Sequence, residues 1–196
     1  MSIVYGYGSG IYLNITNRCP CKCIFCVRND TDALGDADSL WISSEPSAQE
    51  VMDELRKRNM LRCSEIVFCG YGEPTERFDL VLDLADRIKR TFHKKVRIDT
   101  NGMGSLINGR DIVPEMKGLI DSVSVSLNAP DEESYLAVTR NRFGKGCYSE
   151  LLKFIEECRD TIDDVQVSVV SGYITEEQEE RCRRMAEGWG VRFRSR

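Results

Sequence analysis

The stretch Cys19-Pro-Cys-Lys-Cys-Ile-Phe-Cys26 organises the rest of the chain. Its cysteines stand at positions 19, 21, 23 and 26. Three residues separate Cys19 from Cys23, two separate Cys23 from Cys26, and Phe25 precedes the last cysteine. Thiolates are the soft ligands that iron–sulfur clusters and zinc prefer. Three thiolates on a four-iron cluster would leave one iron open to a substrate or cofactor, as catalytic metal sites keep an open position.

The spacing Cys19-x3-Cys23-x2-Cys26 resembles the signature of the radical SAM superfamily. The resemblance implies that the three cysteines hold a [4Fe–4S] cluster, whose open iron chelates the amino and carboxylate groups of S-adenosylmethionine. It implies an enzyme that cleaves this cofactor reductively to methionine and a 5'-deoxyadenosyl radical, which abstracts hydrogen from a substrate. It also implies an external one-electron reductant of the flavodoxin or ferredoxin type.

Cys21 is not required by the family pattern, so other uses of the cysteines stay open. A four-cysteine zinc site at 19, 21, 23 and 26 is conceivable, although zinc sites usually draw their ligands from two separated knuckles. Disulfides explain the sequence less well, because the number of cysteines, nine, is odd. The first residues also lack the basic and apolar regions of a secretory signal.

Composition predicts one core domain over residues 1–196, without an accessory cluster domain. A chain of 196 residues, 41% of them hydrophobic, can bury a sizeable core. The apolar runs are too short to span a bilayer, so we expect a cytoplasmic protein without membrane contact. The net charge of −5 argues against a general nucleic-acid binder.

The rest of the chain alternates β-rich segments with amphipathic helical segments. We predict strands at residues 11–16, 65–69, 96–100, 122–127, 165–170 and 191–194. We predict helices at about 48–60, 76–92 and 148–162, one starting near 131, and a last one after the capping box at 175–178. A second capping box, at 47–50, marks the start of the first helix. Residues 103–118 are expected to mix loop and helix.

This alternation predicts a parallel sheet with outer helices. Six units are too few to close an eight-stranded barrel, and the resemblance implies a partial (β/α)6 TIM-like barrel that is open on one side. Polar residues share one parity in the strands, and we predict that this parity faces a polar lumen. At the last strand, simple exposure of the open edge is the expectation. The polar pairs are Asn14 and Thr16, Arg97 and Asp99, Ser124 and Ser126, Gln166 and Ser168, and Arg192 and Arg194.

The candidate motifs follow the strands, at the carboxyl edge where barrel enzymes place their sites. Gly70-Tyr-Gly-Glu-Pro74 resembles the Gly-Gly-Glu-Pro motif of the family. The resemblance implies that Gly70, Gly72 and Glu73 receive the ammonium group of S-adenosylmethionine. Glycine lets backbone approach a ligand without a Cβ in between. Taken alone, the same stretch is an ordinary junction between strand and helix.

The resemblance places further cofactor contacts on the other loops. These residues are Phe25, Val27, Thr100, Asn101, Ser126, Asn128, Val170 and Ser171. The resemblance implies that Phe25 shields the cluster, that Ser126 and Asn128 contact the ribose hydroxyls or the carboxylate, and that the 170–171 segment lies under the adenine. The segment 99–102 resembles a strand ending of glycyl-radical activases. Each segment is also compatible with an ordinary turn.

The other cysteines are scattered, so we expect no auxiliary cluster. Cys158 and Cys182 lie on apolar helix faces and are predicted to be core residues, as is Cys69. Cys147 follows a basic loop at residues 140–146, which either binds an anion or is mobile and solvated, the second being the expectation. His93 is predicted to be a solvated helix end.

Three functions stay open at this point. The first is a radical SAM enzyme acting on an unidentified substrate, with protein or RNA as candidates. The second is a glycyl-radical-enzyme activase, and the third is a non-catalytic iron–sulfur or zinc protein that uses the cysteine loop only. The crowded cysteine loop and Gly70-Tyr-Gly-Glu-Pro74 look most like the TatD-linked radical SAM proteins.

Overall fold

A computed structural model describes residues 1–196, and its centre is one seven-stranded sheet whose strand order follows the sequence. Strand β1 pairs antiparallel with β2, and all later neighbours are parallel. The first and last strands are free edges, so the barrel is open. The strands are β1 (Val4–Tyr7), β2 (Gly10–Leu13), β3 (Glu65–Phe68), β4 (Lys95–Thr100), β5 (Ser122–Ser126), β6 (Asp164–Val169) and β7 (Arg192–Ser195).

Helices connect the parallel strands. They are α1 (Ala48–Arg56), α2 (Phe78–Phe92), α3 (Gly104–Asn108), α4 (Val113–Met116), α5 (Glu132–Thr139), α6 (Cys147–Thr161) and α7 (Glu176–Trp189). Short 3-10 helices cover Val27–Asn29, Met60–Arg62 and Pro74–Arg77. Both predicted capping boxes are formed, at the starts of α1 and α7. A bilayer would need a longer or more apolar helix than any of these.

The prediction of a partial, open barrel of parallel strands is confirmed, and the prediction of six strands missed β1. The first strand was predicted at residues 11–16, whereas β2 ends at Leu13 and forms a hairpin with β1. Tyr7 lies opposite Gly10, so residues 8–9 make the turn, and Gly8 has a φ of 58°. Glycine accepts this left-handed conformation without strain. Strand β1 was not predicted because its four residues include a glycine and show no apolar alternation.

The register separates the two faces of the sheet. Leu13, Phe68, Ile98, Val123 and Val165 form one continuous row across five strands. All five are buried in the main core, which the sheet shares with the helices. Burying a side chain of this size contributes about 1.5–3 kcal/mol relative to leaving it exposed. The apolar parity therefore faces the helices, as predicted.

The opposite face carries the polar parity. Asp99, Ser124, Gln166 and Arg192 lie opposite one another on neighbouring strands. Gln166 donates to Ser124 at 3.3 Å and accepts from Arg192 at 3.0 Å. The lumen is therefore lined with polar groups, and Arg192 is exposed at the open edge as expected.

The spare cysteines divide between the two faces. Cys158 and Cys182 are fully buried in the main core, as predicted. The prediction that Cys69 is a core residue was wrong, because it is only half-buried and stays outside that core. Burial and the charge of Asp99 raise the pKa of its thiol. His93 is an exposed helix end with a φ of 54°, as expected.

Candidate active site

The segment after β2 lies directly on the β3–α2 junction, and this contact explains the two glycines of the Gly70-Tyr-Gly-Glu-Pro74 motif. A Cβ at Gly70 would collide with the side chain of Asn14, and one at Gly72 with the carbonyl oxygen of Thr16. The backbone amide of Tyr71 also donates to Asn14 Oδ1 at 3.2 Å. Close packing against the segment after β2 therefore accounts for both glycines, and a contact of their backbone with a ligand stays a prediction.

Glu73 is buried, and four hydrogen bonds within the protein occupy its carboxylate. Oε1 accepts from Thr75 N at 3.2 Å, from Thr75 Oγ1 at 2.7 Å and from Thr100 Oγ1 at 2.7 Å. Oε2 accepts from Asn101 N at 2.7 Å. Burial raises the pKa of Glu73, and these hydrogen bonds oppose the rise. Glu73 therefore joins the ends of β3 and β4, and its contact with an ammonium group stays a prediction.

The side chain of Asn101 points to the cysteine loop. Its Oδ1 accepts a hydrogen bond from Met103 N at 2.9 Å, which fixes the orientation of the amide. Its Nδ2 then donates to Cys19 Sγ at 3.8 Å and to Cys21 Sγ at 3.7 Å. The structure thus brings Asn101 together with the cysteines, which the strand-end motif indicated only in general terms.

The end of α5 supports the cysteine loop through backbone hydrogen bonds. Lys22 N donates to Thr139 O at 2.9 Å, and Ile24 N donates to Val138 O at 3.0 Å. In the basic loop that follows α5, Arg142 N donates to Pro20 O at 2.9 Å. Most of residues 140–146 are exposed, as expected of a solvated loop, but this hydrogen bond anchors the loop to the cysteine loop, so it is not free.

Arg28 belongs to the site and was missed in the sequence. Its guanidinium donates to the carbonyl oxygens of Asn17 and Tyr71 at 3.5 Å each, and to that of Cys21 at 3.3 Å. The side chain thus ties the cysteine loop to the segments before it and to the β3–α2 junction. Its position after Cys26 gave no signal, because these partners are brought together only by the fold.

The cysteines of the loop differ in exposure. Cys19, Cys23 and Cys26 are half-buried, and Cys21 is buried. Hydrogen bonds with the Cys21 thiol lower the pKa of both Cys19 and Cys23, and the same bonds raise the pKa of Cys21. Burial raises the pKa of Cys26. The sulfurs do not form a group arranged to hold a single metal ion.

Two buried polar atoms without a partner lie at the ends of β5 and β6. They are Asn128 Oδ1 and Ser168 Oγ. The Asn128 backbone has a φ of 61° and its amide donates to Ser168 O at 3.1 Å, which holds the two residues together. Unpaired buried groups of this kind point to a ligand. Ser168 was not predicted as a site residue, although its place in the polar parity was a signal.

The other predicted cofactor contacts are spread along the same edge. Phe25 packs edge-on against Tyr173 with ring centroids 5.4 Å apart, so it reaches the loop after β6. Ser126 Oγ accepts from Arg196 at 3.4 Å. Ser171 and Val27 are exposed, and Val27 directly follows Cys26. Val170 is half-buried in the loop after β6.

Comparison with known proteins agrees with this geometry. The family model described as "Radical SAM superfamily" matches residues 13–187. The chain belongs to the radical SAM superfamily. The cofactors of this enzyme superfamily are a [4Fe–4S] cluster and S-adenosylmethionine, so the family and cofactor predictions are confirmed.

Two archaeal relatives of this radical SAM chain are named "Probable GTP 3',8-cyclase". The protein of Methanothermobacter thermautotrophicus is 29% identical over 159 residues, which are 81% of this chain and 47% of the relative. That of Methanocella arvoryzae is 30% identical over 157 residues, which are 79% of this chain and 45% of the relative. The chain therefore spans about half the length of the curated relatives it matches.

Solved structures share the fold. SuiB of Streptococcus suis, bound to the precursor peptide SuiA, superimposes with a TM-score of 0.67 at 18% identity, over 92% of this chain and 37% of SuiB. A radical SAM methyltransferase from Sphaerobacter thermophilus gives a TM-score of 0.64 at 16% identity, over 98% of this chain and 57% of that one. At these identities the likeness shows the fold alone, here the partial barrel.

The residues of the site fit the cofactors of the radical SAM superfamily. Three half-buried thiols on one loop are the donor set that an iron–sulfur cluster takes. Two amide donors already point to a sulfur, since Cys21 N lies 3.5 Å and Asn101 Nδ2 3.8 Å from Cys19 Sγ. The unpaired Asn128 Oδ1 and Ser168 Oγ offer an acceptor and a hydroxyl to a polar cofactor at the same edge.

Proposed function

We propose that this chain is the catalytic core of a radical SAM enzyme and that Cys19, Cys23 and Cys26 ligate its [4Fe–4S] cluster. The observation that carries the proposal is the cysteine loop itself, placed at the carboxyl edge of an open parallel barrel and faced by the amide of Asn101. When bound, the cluster and S-adenosylmethionine supply reductive cleavage of the sulfonium and a 5'-deoxyadenosyl radical that abstracts hydrogen.

The protein's own residues position these groups. Glu73 fixes the end of β4 through Asn101 N, and Asn101 holds the orientation of the cysteine sulfurs. Asn128 and Ser168 are placed to hydrogen-bond the ribose hydroxyls or the carboxylate of the cofactor, which would satisfy their unpaired atoms. Phe25, held by Tyr173, covers the cluster side of the lumen. The other predicted cofactor contacts are kept as part of this proposal. They are Val27, Gly70, Gly72, Thr100, Ser126, Val170 and Ser171.

The substrate is open, and two classes come first. The curated relatives are named as GTP cyclases, which makes a nucleotide one class to test. The structure of SuiB holds a precursor peptide, which makes a peptide or protein the other class. The open side of the sheet next to β7 leaves room for a substrate larger than a metabolite. Three further predictions are kept. They are that the substrate is RNA, that the protein activates a glycyl-radical enzyme, and that it is related to the TatD-linked radical SAM proteins.

An external reductant completes the proposal. Four of the spare cysteines are buried in the main core, so they do not form an electron-transfer route from the surface to the cluster. They are Cys63, Cys147, Cys158 and Cys182. We therefore propose that electrons reach the cluster from a separate flavodoxin or ferredoxin.

Anaerobic cofactor cleavage tests the function. The protein is reconstituted with iron and sulfide, reduced with dithionite and given S-adenosylmethionine, and 5'-deoxyadenosine is measured by mass spectrometry. We expect slow cleavage that is lost in Cys26→Ala. A protein that takes up zinc but no iron–sulfur cluster would overturn the proposal.

The ligand set is tested with a matched pair of variants. Cys21→Ala should keep the iron content and the visible absorbance of the wild type, because the family pattern does not use this residue. Cys23→Ala should lose both. The reverse outcome would mean that Cys21 is a ligand and that our assignment is wrong.

A further inference from the structure

A cavity of about 640 Å³ opens beside the cysteine loop. It lies between that loop, the 3-10 helix after it, the loop that carries Trp41 and the end of α5. Cys23, one of the proposed cluster ligands, forms part of its wall. None of the lumen residues proposed to hold S-adenosylmethionine lines it. The cavity is therefore next to the cluster site but separate from the cofactor site.

The charge around the cavity is opposite to that of the chain. The chain has 32 acidic and 27 basic residues, yet Lys22, Arg28 and Arg140 line the cavity and no carboxylate does. Arg142, two residues along the chain from Arg140, is by contrast paired with Glu76 at 3.3 Å. Lys22, Arg28 and Arg140 form no ion pair, and Arg28 contacts only carbonyl oxygens. Unpaired cations around one concave surface attract an anionic partner.

The same surface exposes two large apolar side chains. Ile24 is 38% exposed and Trp41 is 39% exposed. Trp41 is held rigidly, since its ring packs edge-on against Tyr71 with centroids 5.1 Å apart and its Nε1 donates to Asp32 at 3.0 Å. The cavity thus combines a fixed aromatic residue, held by the carboxylate of Asp32, with cations on the rest of its lining, and fixed aromatic residues are typical of the central part of a protein interface.

We propose that this cavity is the docking site for the acidic surface of the one-electron reductant, an inference that rests on the proposed function. Complementary charge brings an acidic carrier to Lys22, Arg28 and Arg140, and Trp41 and Ile24 supply the desolvated contact. A carrier docked there would lie beside Cys23, one of the three residues that would hold the cluster. A substrate, by contrast, has to meet the cofactor in the lumen, which this cavity does not include.

The test compares two reductants in one charge-reversal variant. Lys22→Glu and Arg140→Glu are combined, because both side chains are exposed and the hydrogen bond from Lys22 to Thr139 O comes from its backbone. The reductant is an acidic flavodoxin, or dithionite in a parallel reaction. With flavodoxin at low salt we expect 5'-deoxyadenosine formation to fall by about tenfold or more and to lose its salt dependence. With dithionite, which needs no docking site, the loss should be several-fold smaller, and an equal loss with both reductants would overturn the docking site.

A matched control carries the same change of charge at the other edge of the sheet. Arg62→Glu and Lys95→Glu replace two exposed residues next to the amino ends of β3 and β4, neither of which forms an ion pair. This variant should retain the wild-type rate with either reductant. An equal loss in both variants would mean that net charge alone steers the carrier, and would overturn the docking site.

Binding measurements separate failure of this inference from failure of the proposed function. Fluorescence anisotropy of labelled flavodoxin should show binding to the reconstituted wild type and weaker binding to the Lys22→Glu, Arg140→Glu variant. Equal binding would overturn the docking site, even if cleavage with dithionite proceeds. Loss of inorganic triphosphate binding in the variant, without any change in flavodoxin binding, would show an anion site for substrate instead. A wild type that does not cleave with dithionite refutes the proposed function.

Discussion

Glu73 accepts a hydrogen bond from the backbone amide of Asn101 at 2.7 Å, and this contact ties the end of β3 to the end of β4. The bond sets the direction in which Asn101 leaves its strand. A second bond, from Met103 N to Asn101 Oδ1 at 2.9 Å, then turns the amide nitrogen toward Cys19 and Cys21. A glutamate that the sequence motif assigns to the cofactor thus acts on the cysteine loop through its neighbour.

Replacing Asn101 with leucine should make the midpoint potential of the cluster more negative. The amide donates to Cys19 Sγ, and hydrogen bonds to sulfur stabilise the reduced, more negative cluster. Loss of about 1 kcal/mol of such stabilisation corresponds to roughly 40 mV for one electron. A redox titration followed by electron paramagnetic resonance measures the shift.

Asn108 provides the control for this prediction. Its amide nitrogen donates to Thr75 O at 3.0 Å and to Gly104 O at 2.8 Å, and it contacts no sulfur. Asn108→Leu should therefore cost stability and leave the potential unchanged. Equal potentials in Asn101→Leu and in the wild type would show that the amide does not act on the cluster.

The fold and the cysteine loop could be predicted because their signals lie within short stretches of the sequence. Apolar periodicity separated strands from helices, and capping boxes marked two helix starts because they need only residues three apart. The spacing of Cys19, Cys23 and Cys26 is likewise a local property of one loop. Since parallel strands end at a common edge, the strand-end motifs could be placed together before any contact was known.

Contacts between distant segments could not be predicted. The sequence shows that residue 72 is a glycine, but the atoms that demand it belong to Thr16 and Arg18. In the same way, the composition of the basic loop after α5 predicts solvent exposure, and nothing in it indicates the hydrogen bond from Arg142 N to Pro20 O. The β1 hairpin was missed for a different reason, since four residues are too few to show a period.

Gly72→Ala should destabilise the protein and disturb the cysteine loop. A Cβ at this position would meet the Thr16 carbonyl and would lie 2.6 Å from Arg18 O, and backbone atoms cannot rotate away as a side chain does. We expect a loss of roughly 1–3 kcal/mol in the free energy of unfolding, as for other overpacked sites. Urea denaturation measures the loss, and iron content after reconstitution should fall as well.

Gly188→Ala is the matched change in open space. Gly188 lies inside α7, and a Cβ there meets no heavy atom within 4 Å. Alanine is the better helix former, so this variant should gain up to about 1 kcal/mol. If Gly72→Ala were as stable as Gly188→Ala, the close approach of the two segments would not be a constraint.

Asp131 should make the stability of the α5–α7 contact depend on pH. Its Oδ1 caps α5 by accepting from Ser134 N at 3.0 Å, and its Oδ2 lies 3.1 Å from Arg181 on α7. The hydrogen bonds from Ser134 lower the pKa of Asp131 below its usual 3.8, and Arg181 lowers it further. A carboxyl whose pKa is lower in the folded state contributes stability above its unfolded pKa, and this contribution is lost as the pH falls through the folded value.

Asp131→Asn separates the charge of this residue from its capping role, because asparagine caps helices about as well as aspartate. At pH 7 the wild type should be more stable than this variant by less than about 1 kcal/mol, since the ion pair is partly exposed. In urea titrations at progressively lower pH, the difference should shrink below 3.8, where the wild-type carboxyl becomes protonated. Asp131→Ala should cost about 1 kcal/mol at the acidic end of the range, because it removes the cap, and more at pH 7, where it also removes the ion pair. A difference between wild type and Asp131→Asn that stays constant with pH would mean that the charge of Asp131 does not stabilise the fold.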